Sequence, residues 1–269
     1  YNGCADSTSV SISQPAPVPV AINSASPIIC QGSSINLSGS GAITYSWSPP
    51  VWLSAINGQN VISTPSASIT YVLTGTDVNG CSNTDTISIT IIQAISLGIT
   101  PQSPTVCLGE GVIINISGAS TYTWFPSTGL NTTSGSSVTS SPTLNTNYTV
   151  VGNDNFGCTD TIQFTVNVKP VPTVNVTNSP TICEGSSAAL MATGTNNYFW
   201  FPATGLNSTI GAVVTATPIV STTYYVVGED VNGCKDTAIT TVSVNPNPVL
   251  TTFPTSGTMC MGDTSMLFV

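Results

Sequence analysis

Eight cysteines recur along the chain at a nearly fixed spacing, and this repeat constrains the fold more than any other feature. Four of them follow a turn-like Asn-Gly or Phe-Gly pair and stand 77, 77 and 76 residues apart, and the other four stand 77, 76 and 77 residues apart. A fixed period of this kind is typical of a tandem array of similar units. The turn cysteines are Cys4, Cys81, Cys158 and Cys234, and the second set is Cys30, Cys107, Cys183 and Cys260.

The residues between the cysteines keep the same period and divide the chain into three modules. The segment TYSWSP at Thr44 returns as TYTWFP at Thr121 and as NYFWFP at Asn197. Because neither end of the chain resembles an altered cap repeat, we expect the chain to be a window of a longer array. The predicted divisions are the end of a preceding repeat over 1–14, complete repeats over 15–93, 94–170 and 171–247, and the start of a following repeat over 248–269.

The composition argues against two classes of partner. Charged residues make up 5% of the chain, the basic residues are Lys169 and Lys235 alone, and the net charge is −9. Such a chain repels nucleic-acid phosphates and has few cations for anionic lipid, so we predict neither kind of binding. The longest apolar run, over 87–99, is interrupted by polar residues, and the sequence therefore predicts no membrane-spanning segment.

The cysteines predict structural disulfides rather than a metal site. Zinc sites need clustered ligands, whereas these cysteines lie 51 residues apart within a repeat and the chain has no histidine. We predict no cofactor. Because disulfides persist in oxidising compartments, we also predict an extracellular or cell-surface location. The predicted pairs are Cys30–Cys81, Cys107–Cys158 and Cys183–Cys234, with Cys4 and Cys260 unpaired within this chain.

Alternation of apolar and polar residues predicts β-strands throughout each repeat. Segments such as SINLSG, TYVLTG and TISITI carry apolar, mostly β-branched, residues at every second position, with Gly, Pro and Asn between them. About seven short strands per repeat predict an all-β fold, a tandem array of immunoglobulin-like antiparallel β-sandwiches with one disulfide per module. One tryptophan and one tyrosine of each repeat are predicted to fill its core. These residues are Trp47, Trp124 and Trp200, and Tyr71, Tyr148 and Tyr224.

The segment GEDVNGC of the third repeat predicts a tight hairpin turn between the last two strands. Asn232 and Gly233 tolerate positive φ, and Asp230 can accept backbone hydrogen bonds inside the turn. Asp236 follows, and such a pair of carboxylates could serve acid–base catalysis or bind calcium. Because the pair recurs in every repeat, the sequence favours architecture, and we predict no enzyme activity and no metal site. The other pairs are Asp77 with Asp85 and Asp154 with Asp160.

These motifs resemble the immunoglobulin-like or PKD-like repeats of large surface adhesins. The pattern YxWxPxxGL at Tyr122 and Tyr198, then TxTYxVxG near Tyr224, then DxNGC and DT, carries the resemblance over essentially the whole chain. Such repeats occur in Bacteroidetes-type bacteria, often in proteins associated with gliding motility and exported by the type IX pathway. The resemblance implies extracellular filaments, stalks or adhesins and supplies no active site. The first repeat departs from it at Trp52, where the others have glycine, and by two extra residues before Asp85.

We therefore expect a structural repeat segment of an extracellular bacterial surface filament or adhesin stalk, acting as a stiff spacer or fibre shaft. Proline-rich linkers at Lys169 and Asn245 favour stiff, extended connections. The expected partners are further repeats of the same polypeptide or like subunits in a filament. Two alternatives stay open, namely modules that bind carbohydrate or protein, and accessory domains of a large secreted enzyme. The aromatic residues Trp52, Phe125 and Phe201 could stack on a sugar or could cover the edge of the core.

An Asp-Ser or Asp-Thr pair follows each turn cysteine and resembles the acceptor pattern for O-linked glycans in secreted Bacteroidetes-type proteins. A covalent glycan there would hydrate a surface that has few charges. The same pair could instead simply begin the final strand, with the hydroxyl bonded to nearby backbone. An intact mass above that of the bare polypeptide would support the glycans. The candidate acceptors are Ser7, Thr86, Thr161 and Thr237.

Overall fold

A computed structural model describes residues 6–11, 14–24, 27–177, 179–249, 258, 260 and 261. Over these residues the chain forms β-strands and no helix, which confirms the predicted all-β class. In the same part of the chain no helix is long and apolar enough to cross a membrane. Cys4, one of the cysteines predicted to be unpaired, lies outside the described residues.

The strands of the described residues fall into three sets of seven, as the alternating pattern predicts. The first set is β1 (Ala21–Asn23), β2 (Ile28–Cys30), β3 (Ile35–Ser40), β4 (Thr44–Ser48), β5 (Asn60–Ser63), β6 (Ile69–Thr76) and β7 (Ser82–Ile92). The second set is β8 (Gly98–Thr100), β9 (Thr105–Cys107), β10 (Val112–Ser117), β11 (Thr121–Phe125), β12 (Ser137–Ser140), β13 (Thr146–Asn153) and β14 (Thr159–Lys169). The third set is β15 (Asn175–Val176), β16 (Thr181–Cys183), β17 (Ala188–Thr193), β18 (Asn197–Phe201), β19 (Val213–Ala216), β20 (Thr222–Glu229) and β21 (Lys235–Asn245).

Each set forms one β-sandwich that consists of a three-stranded and a four-stranded sheet. The first sandwich has the strand orders β1-β3-β5 and β2-β7-β6-β4. The second has β8-β10-β12 and β9-β14-β13-β11, and the third has β15-β17-β19 and β16-β21-β20-β18. Two small sheets that face each other in this way give the immunoglobulin-like architecture that the sequence predicts.

Alternate side chains from both sheets fill each core. In the first sandwich Leu37 and Val61 of the three-stranded sheet pack with Trp47 and Leu73 of the four-stranded sheet. The tryptophans and tyrosines predicted to lie in the cores are all buried, so that prediction is confirmed. Leu73 and its equivalents are also fully buried, at the position where an antibody domain has a cysteine. Those equivalents are Val150 and Val226.

The buried tyrosine of each sandwich also makes one long-range hydrogen bond. The Tyr224 hydroxyl donates to the backbone carbonyl of Thr204 at 2.7 Å, a residue 20 positions upstream. In the tyrosine corner of immunoglobulin domains, the tyrosine hydroxyl is bonded to backbone only a few residues upstream. The bond in this chain therefore closes a much larger loop. Burial raises the pKa of Tyr224 above its ordinary value, against a smaller lowering effect of Thr222. The equivalent bonds join Tyr71 to Val51 and Tyr148 to Thr128.

One strand pairing in each four-stranded sheet is parallel, and it fixes the position of the second set of cysteines. Strand β2 runs parallel to the end of β7, which places Cys30 opposite Ile92, the last residue of β7. In the other sandwiches Cys107 lies opposite Lys169 and Cys183 lies opposite Asn245. The second cysteine of every module therefore lies beside the end of the module's last strand.

The chain divides into two compact units. One unit comprises residues 1–104, 112–140 and 146–166. The other comprises residues 105–111, 141–145 and 167–269. The second unit thus includes strand β9 and the last residues of β14 together with the whole third sandwich. The predicted module limits near residues 93 and 171 stay a prediction.

Candidate functional site

In the part of the chain that the structure describes, two disulfides join cysteines of successive sandwiches. Cys30 is bonded to Cys158 across 128 residues, and Cys107 is bonded to Cys234 across 127 residues. The Cα atoms are 5.6 Å apart in both pairs. Each bond lies within one of the two compact units. The predicted pairs Cys30–Cys81, Cys107–Cys158 and Cys183–Cys234 are therefore wrong, and Cys81, Cys183 and Cys260 are free thiols.

The length of the last strand explains why a module cannot close its own disulfide. Cys81 directly precedes the first residue of β7, and Cys30 lies opposite the last of its 11 residues. At about 3.3 Å per residue the two cysteines are roughly 33 Å apart along the strand. A disulfide needs Cα atoms within about 7 Å. The turn cysteine and the second cysteine thus lie at opposite ends of their own sandwich, and each can be bonded only to a neighbouring module.

The hairpin turn that carries each turn cysteine is held by its aspartate. The Asp230 carboxylate accepts the backbone N–H groups of Asn232 at 2.8 Å and Cys234 at 2.9 Å. Gly233 has a φ of 84°, as predicted, whereas Asn232 does not have positive φ and instead donates its side-chain amide to Asp230 at 3.1 Å. Asp77 and Asp154 make the same bonds to Cys81 and Cys158.

These hydrogen bonds change the acidity of the turn aspartate. Desolvation acts to raise the pKa of Asp230. The hydrogen bonds from the Asn232 side chain and from the backbone of Cys234, Asn232 and Gly233 together outweigh it and hold that pKa below its ordinary value. The carboxylate form is thus the one that the turn requires, and the turn loses its contribution to stability as the pH falls through the folded-state pKa.

The second aspartate of each pair accepts a hydrogen bond from a different part of the sandwich, at its first strand. Asp236 accepts the backbone N–H of Val174 at 2.8 Å, which fixes the segment that enters β15. Its equivalents bond the corresponding segments, Asp85 to Ile22 and Asp160 to Leu97. Both members of a pair are thus bonded to backbone N–H groups. Among the described residues no three His, Cys, Asp or Glu side chains are grouped as metal ligands would be.

We expect Asp236→Ala to loosen the first strand of the third sandwich. The substitution leaves the buried N–H of Val174 without its acceptor, which should cost about 1–3 kcal/mol. Hydrogen–deuterium exchange of residues 173–177 should quicken by at least about fivefold, which corresponds to 1 kcal/mol. Asp236→Asn keeps an acceptor oxygen and serves as the matched control. Unchanged exchange in Asp236→Ala would show that the bond does not hold this strand.

An aromatic face covers the outer side of the four-stranded sheet in the third sandwich. Phe201 of β18 lies opposite Tyr225 of β20, with ring centroids 5.3 Å apart and planes 8° apart. Ile239 of β21 continues the row, and Phe199 lies in the next row. The exposed fractions of Phe201 and Tyr225 are 46% and 38%. The equivalent rows are Phe125, Thr149 and Gln163 in the second sandwich, and Ser48, Val72 and Thr86 in the first.

The other aromatic candidates stand alone. Phe125 is exposed on its sheet without an aromatic neighbour across the strand. Trp52 is partly exposed and has a φ of 60°, where Gly129 and Gly205 of the other repeats have φ values of 72° and 73°. The departure from the repeat pattern at Trp52 thus falls at a left-handed position that favours glycine.

The candidate glycan acceptors are exposed residues of the described chain. Thr86, Thr161 and Thr237 lie within β7, β14 and β21. Their side chains share the outer face of the four-stranded sheet, where Thr237 lies opposite Val227 in the row of Phe199. Ser7 is also exposed. The expectation that these residues carry glycans stays a prediction.

The fold is thus a tandem array of immunoglobulin-like β-sandwiches, with disulfides that number roughly one per module. Residues 171–248, the third module, match the family model of an Ig-like domain described as CHU_C associated. No curated protein matches the chain in sequence.

Several solved structures resemble the chain at low sequence identity. The I-band fragment I67–I69 of titin is 12% identical with a TM-score of 0.40, and the match covers 86% of this chain and all of that one. A Ca²⁺-stabilised adhesin with which an Antarctic bacterium binds ice is 14% identical with a TM-score of 0.34, over 86% of this chain and 75% of that one. The titin tandem I9–I11 is 13% identical with a TM-score of 0.34, over 84% of this chain and all of that one.

Proposed function

We propose that this chain is a load-bearing repeat segment of an extracellular surface filament or adhesin stalk and acts as a spacer. The observation that carries the proposal is the disulfide that joins one sandwich to the turn of the next. A bond inside a module would protect only that module, whereas Cys30–Cys158 and Cys107–Cys234 hold successive modules together. Disulfides and a surface rich in uncharged polar residues suit an extracellular location. Export by the type IX pathway of a Bacteroidetes-type bacterium is part of the proposal and rests on the motif resemblance.

The two disulfide-closed loops overlap, and this determines how tension would pass. Cys107 lies within the loop closed by Cys30–Cys158, and Cys158 lies within the loop closed by Cys107–Cys234. Between the two disulfides the shortest covalent path is the segment 107–158. A pull on the two ends would therefore load that segment and leave the longer segments 30–107 and 158–234 slack. After complete unfolding of the sandwiches, the two disulfides would still hold their chain segments together.

Single-molecule stretching tests this arrangement, with the free thiols alkylated beforehand. At roughly 3.6 Å per residue, the oxidised chain should extend to about 410 Å and the reduced chain to about 960 Å. Cys107→Ser with Cys234→Ser should extend to about 500 Å, since only Cys30–Cys158 remains. A length of about 780 Å for this double variant is what bonds within modules would give, and it would contradict the proposal.

The extracellular location is tested on cells of the source organism. Antibodies raised against the purified chain should label thin fibres outside intact cells in electron micrographs. Antibodies that have been absorbed with the same chain provide the control. Label that is found only after the cells are opened would contradict a surface filament.

A second candidate function is supported by the aromatic face of the third sandwich. The parallel pair Phe201–Tyr225 exposes two neighbouring aromatic rings, side chains on which sugar rings stack, and no equivalent pair lies in the described residues of the other sandwiches. Titration of the chain with neutral oligosaccharides should shift the NMR signals of β18 and β20. Tyr225→Thr, which copies Thr149 of the second sandwich, should weaken the binding at least tenfold, whereas Phe125→Ser should leave it unchanged. No shift with any oligosaccharide, or equal binding by Tyr225→Thr, would exclude this function.

O-linked glycans on Thr86, Thr161 and Thr237 are part of the proposed extracellular role. Each hydroxyl lies on an exposed sheet face, where a glycan would keep the sheets of separate molecules apart. We expect the protein purified from its own organism to show added sugar mass that peptide analysis places on these threonines. A mass equal to the bare polypeptide with its two disulfides would exclude the glycans.

A further inference from the structure

We infer that the first sandwich binds a neutral oligosaccharide in a groove at the edge of its four-stranded sheet. The groove has a volume of about 610 Å³ and lies between the outer face of β4 and β6 and the segment 57–59. Small-molecule sites are of this size, roughly 300–1,000 Å³. The inference goes beyond the proposed spacer role, and the groove shares no residue with the aromatic face of the third sandwich.

Four hydroxyl groups form one side of the groove. Ser46 of β4 lies opposite Thr74 of β6, and Thr44 lies opposite Thr76. Successive side chains of a strand point to opposite faces, and Trp47, the residue after Ser46, is buried in the core. The four hydroxyl-bearing side chains therefore lie together on the outer face of the sheet, in two neighbouring rows.

Two carboxamide groups form the other side, on a segment that is held against β4. The backbone N–H of Gly58 donates to the Tyr45 carbonyl at 3.1 Å, and the Trp47 indole N–H donates to the Gly58 carbonyl at 3.0 Å. These bonds fix the segment on the edge strand. Asn57 and Gln59 flank Gly58, and both are exposed and line the groove.

The polar side chains of the groove are available to a ligand. None of these six side chains donates or accepts a hydrogen bond within the described part of the chain. Elsewhere on the outer faces, hydroxyl groups of neighbouring strands are bonded to each other, as Thr70 is to Ser88 at 2.8 Å and Thr223 is to Thr241 at 3.0 Å. The groove therefore groups polar side chains that the fold itself does not use.

The chemistry of the lining selects a neutral ligand with many hydroxyl groups. Hydroxyl and carboxamide groups both donate and accept hydrogen bonds, as sugar hydroxyls do. No charged side chain lines the groove, and Lys169 and Lys235 belong to the other sandwiches, so a phosphate, sulfate or carboxylate group finds no counter-charge there. Ile43, which is 66% exposed, and Tyr45 offer apolar surface to the C–H face of a sugar ring.

The equivalent positions of the second and third sandwiches lack both carboxamides and the hydroxyl of Thr74. These differences make the inferred site a property of the first sandwich, and they supply substitutions that the same fold already contains. The equivalents of Asn57, Gln59 and Thr74 are Ser134, Ser136 and Val151 in the second sandwich, and Ile210, Ala212 and Val227 in the third.

The test is an NMR titration of the full-length, oxidised and isotope-labelled chain with cellohexaose, mannohexaose, xylohexaose and maltohexaose. We expect at least one of these probes to shift the backbone signals of β4, of residues 57–59 and of the end of β6. A galacturonate hexamer, which is anionic, should leave these signals unchanged. Asn57→Ser, Gln59→Ser and Thr74→Val should each weaken the binding about fivefold, and the triple variant at least about tenfold, because each removes a carboxamide or hydroxyl group from the groove.

Thr70→Val is the matched control, because Thr70 lies on the same outer face of β6 but outside the groove. Its affinity for the probe should equal that of the parent chain. Undiminished affinity of the triple variant, shifts confined to β18 and β20, or no shift with any probe would overturn the inference. Each of these results leaves the spacer role standing, since that role is tested separately by the stretched lengths.

Discussion

Removal of Cys107–Cys234 should lower the free energy of unfolding by about 5 kcal/mol, because the bond closes a loop of 127 residues. The estimate follows from chain entropy, in which a longer closed loop restricts the unfolded state more. The full loss of free energy applies to the transition that unfolds both of the sandwiches joined by this bond. The change to make is Cys107→Ser with Cys234→Ser, and the measurement is urea unfolding of the oxidised chain.

The same measurement distinguishes the observed bonds from bonds within modules. Cys183→Ser should leave the unfolding free energy almost unchanged, because Cys183 is an exposed free thiol. Bonds within modules would make Cys183→Ser as harmful as Cys234→Ser, since the two residues would share a disulfide. Non-reducing peptide maps of the parent chain should accordingly contain Cys107 linked to Cys234 and no peptide that links Cys183 to Cys234.

The sequence predicts the secondary structure and the core because both depend on local patterns. Alternation along β6, for example, places Tyr71 and Leu73 on the same face, and both are fully buried. The turn at Asp230 is likewise predictable, since an aspartate, a glycine and their spacing determine its hydrogen bonds. The strand content and the core aromatic residues therefore follow from short segments alone.

The disulfide partners depend instead on a pairing between distant segments. The period of the cysteines shows that they act together, but it does not show at which end of a sandwich Cys30 lies. That position follows from the parallel pairing of β2 with the end of β7, whose residues lie about 60 positions further along the chain. An antiparallel or hairpin neighbour would have placed Cys30 near Cys81. The aromatic face could not be predicted from the sequence for a similar reason, because Phe201 and Tyr225 become neighbours only through strand register.

The corner between β17 and β18 provides the second large effect, through Gly194. This residue has a φ of 111°, and a Cβ atom placed on it would overlap the backbone carbonyl oxygen of Thr173. Gly194→Ala should therefore combine the cost of left-handed backbone, about 1 kcal/mol, with about 2 kcal/mol from displacement of the segment that enters β15. Gly118 and Gly41 meet the carbonyl groups of Ser96 and Pro19 in the same way, so the corner is part of the repeat.

Gly211→Ala is the matched control for Gly194→Ala, because it separates backbone strain from the overlap. Gly211 has a nearly equal φ of 117°, but the nearest atom to a Cβ there is the Val213 carbonyl oxygen at 3.8 Å, an ordinary contact. This variant should lower the free energy of unfolding only because alanine is strained in left-handed backbone, by about 1 kcal/mol. Hydrogen exchange in the strands of the third sandwich measures both variants. Equal losses would show that the segment at Thr173 can move aside, and hence that the glycine is required by its φ alone rather than by the close approach of the first strand.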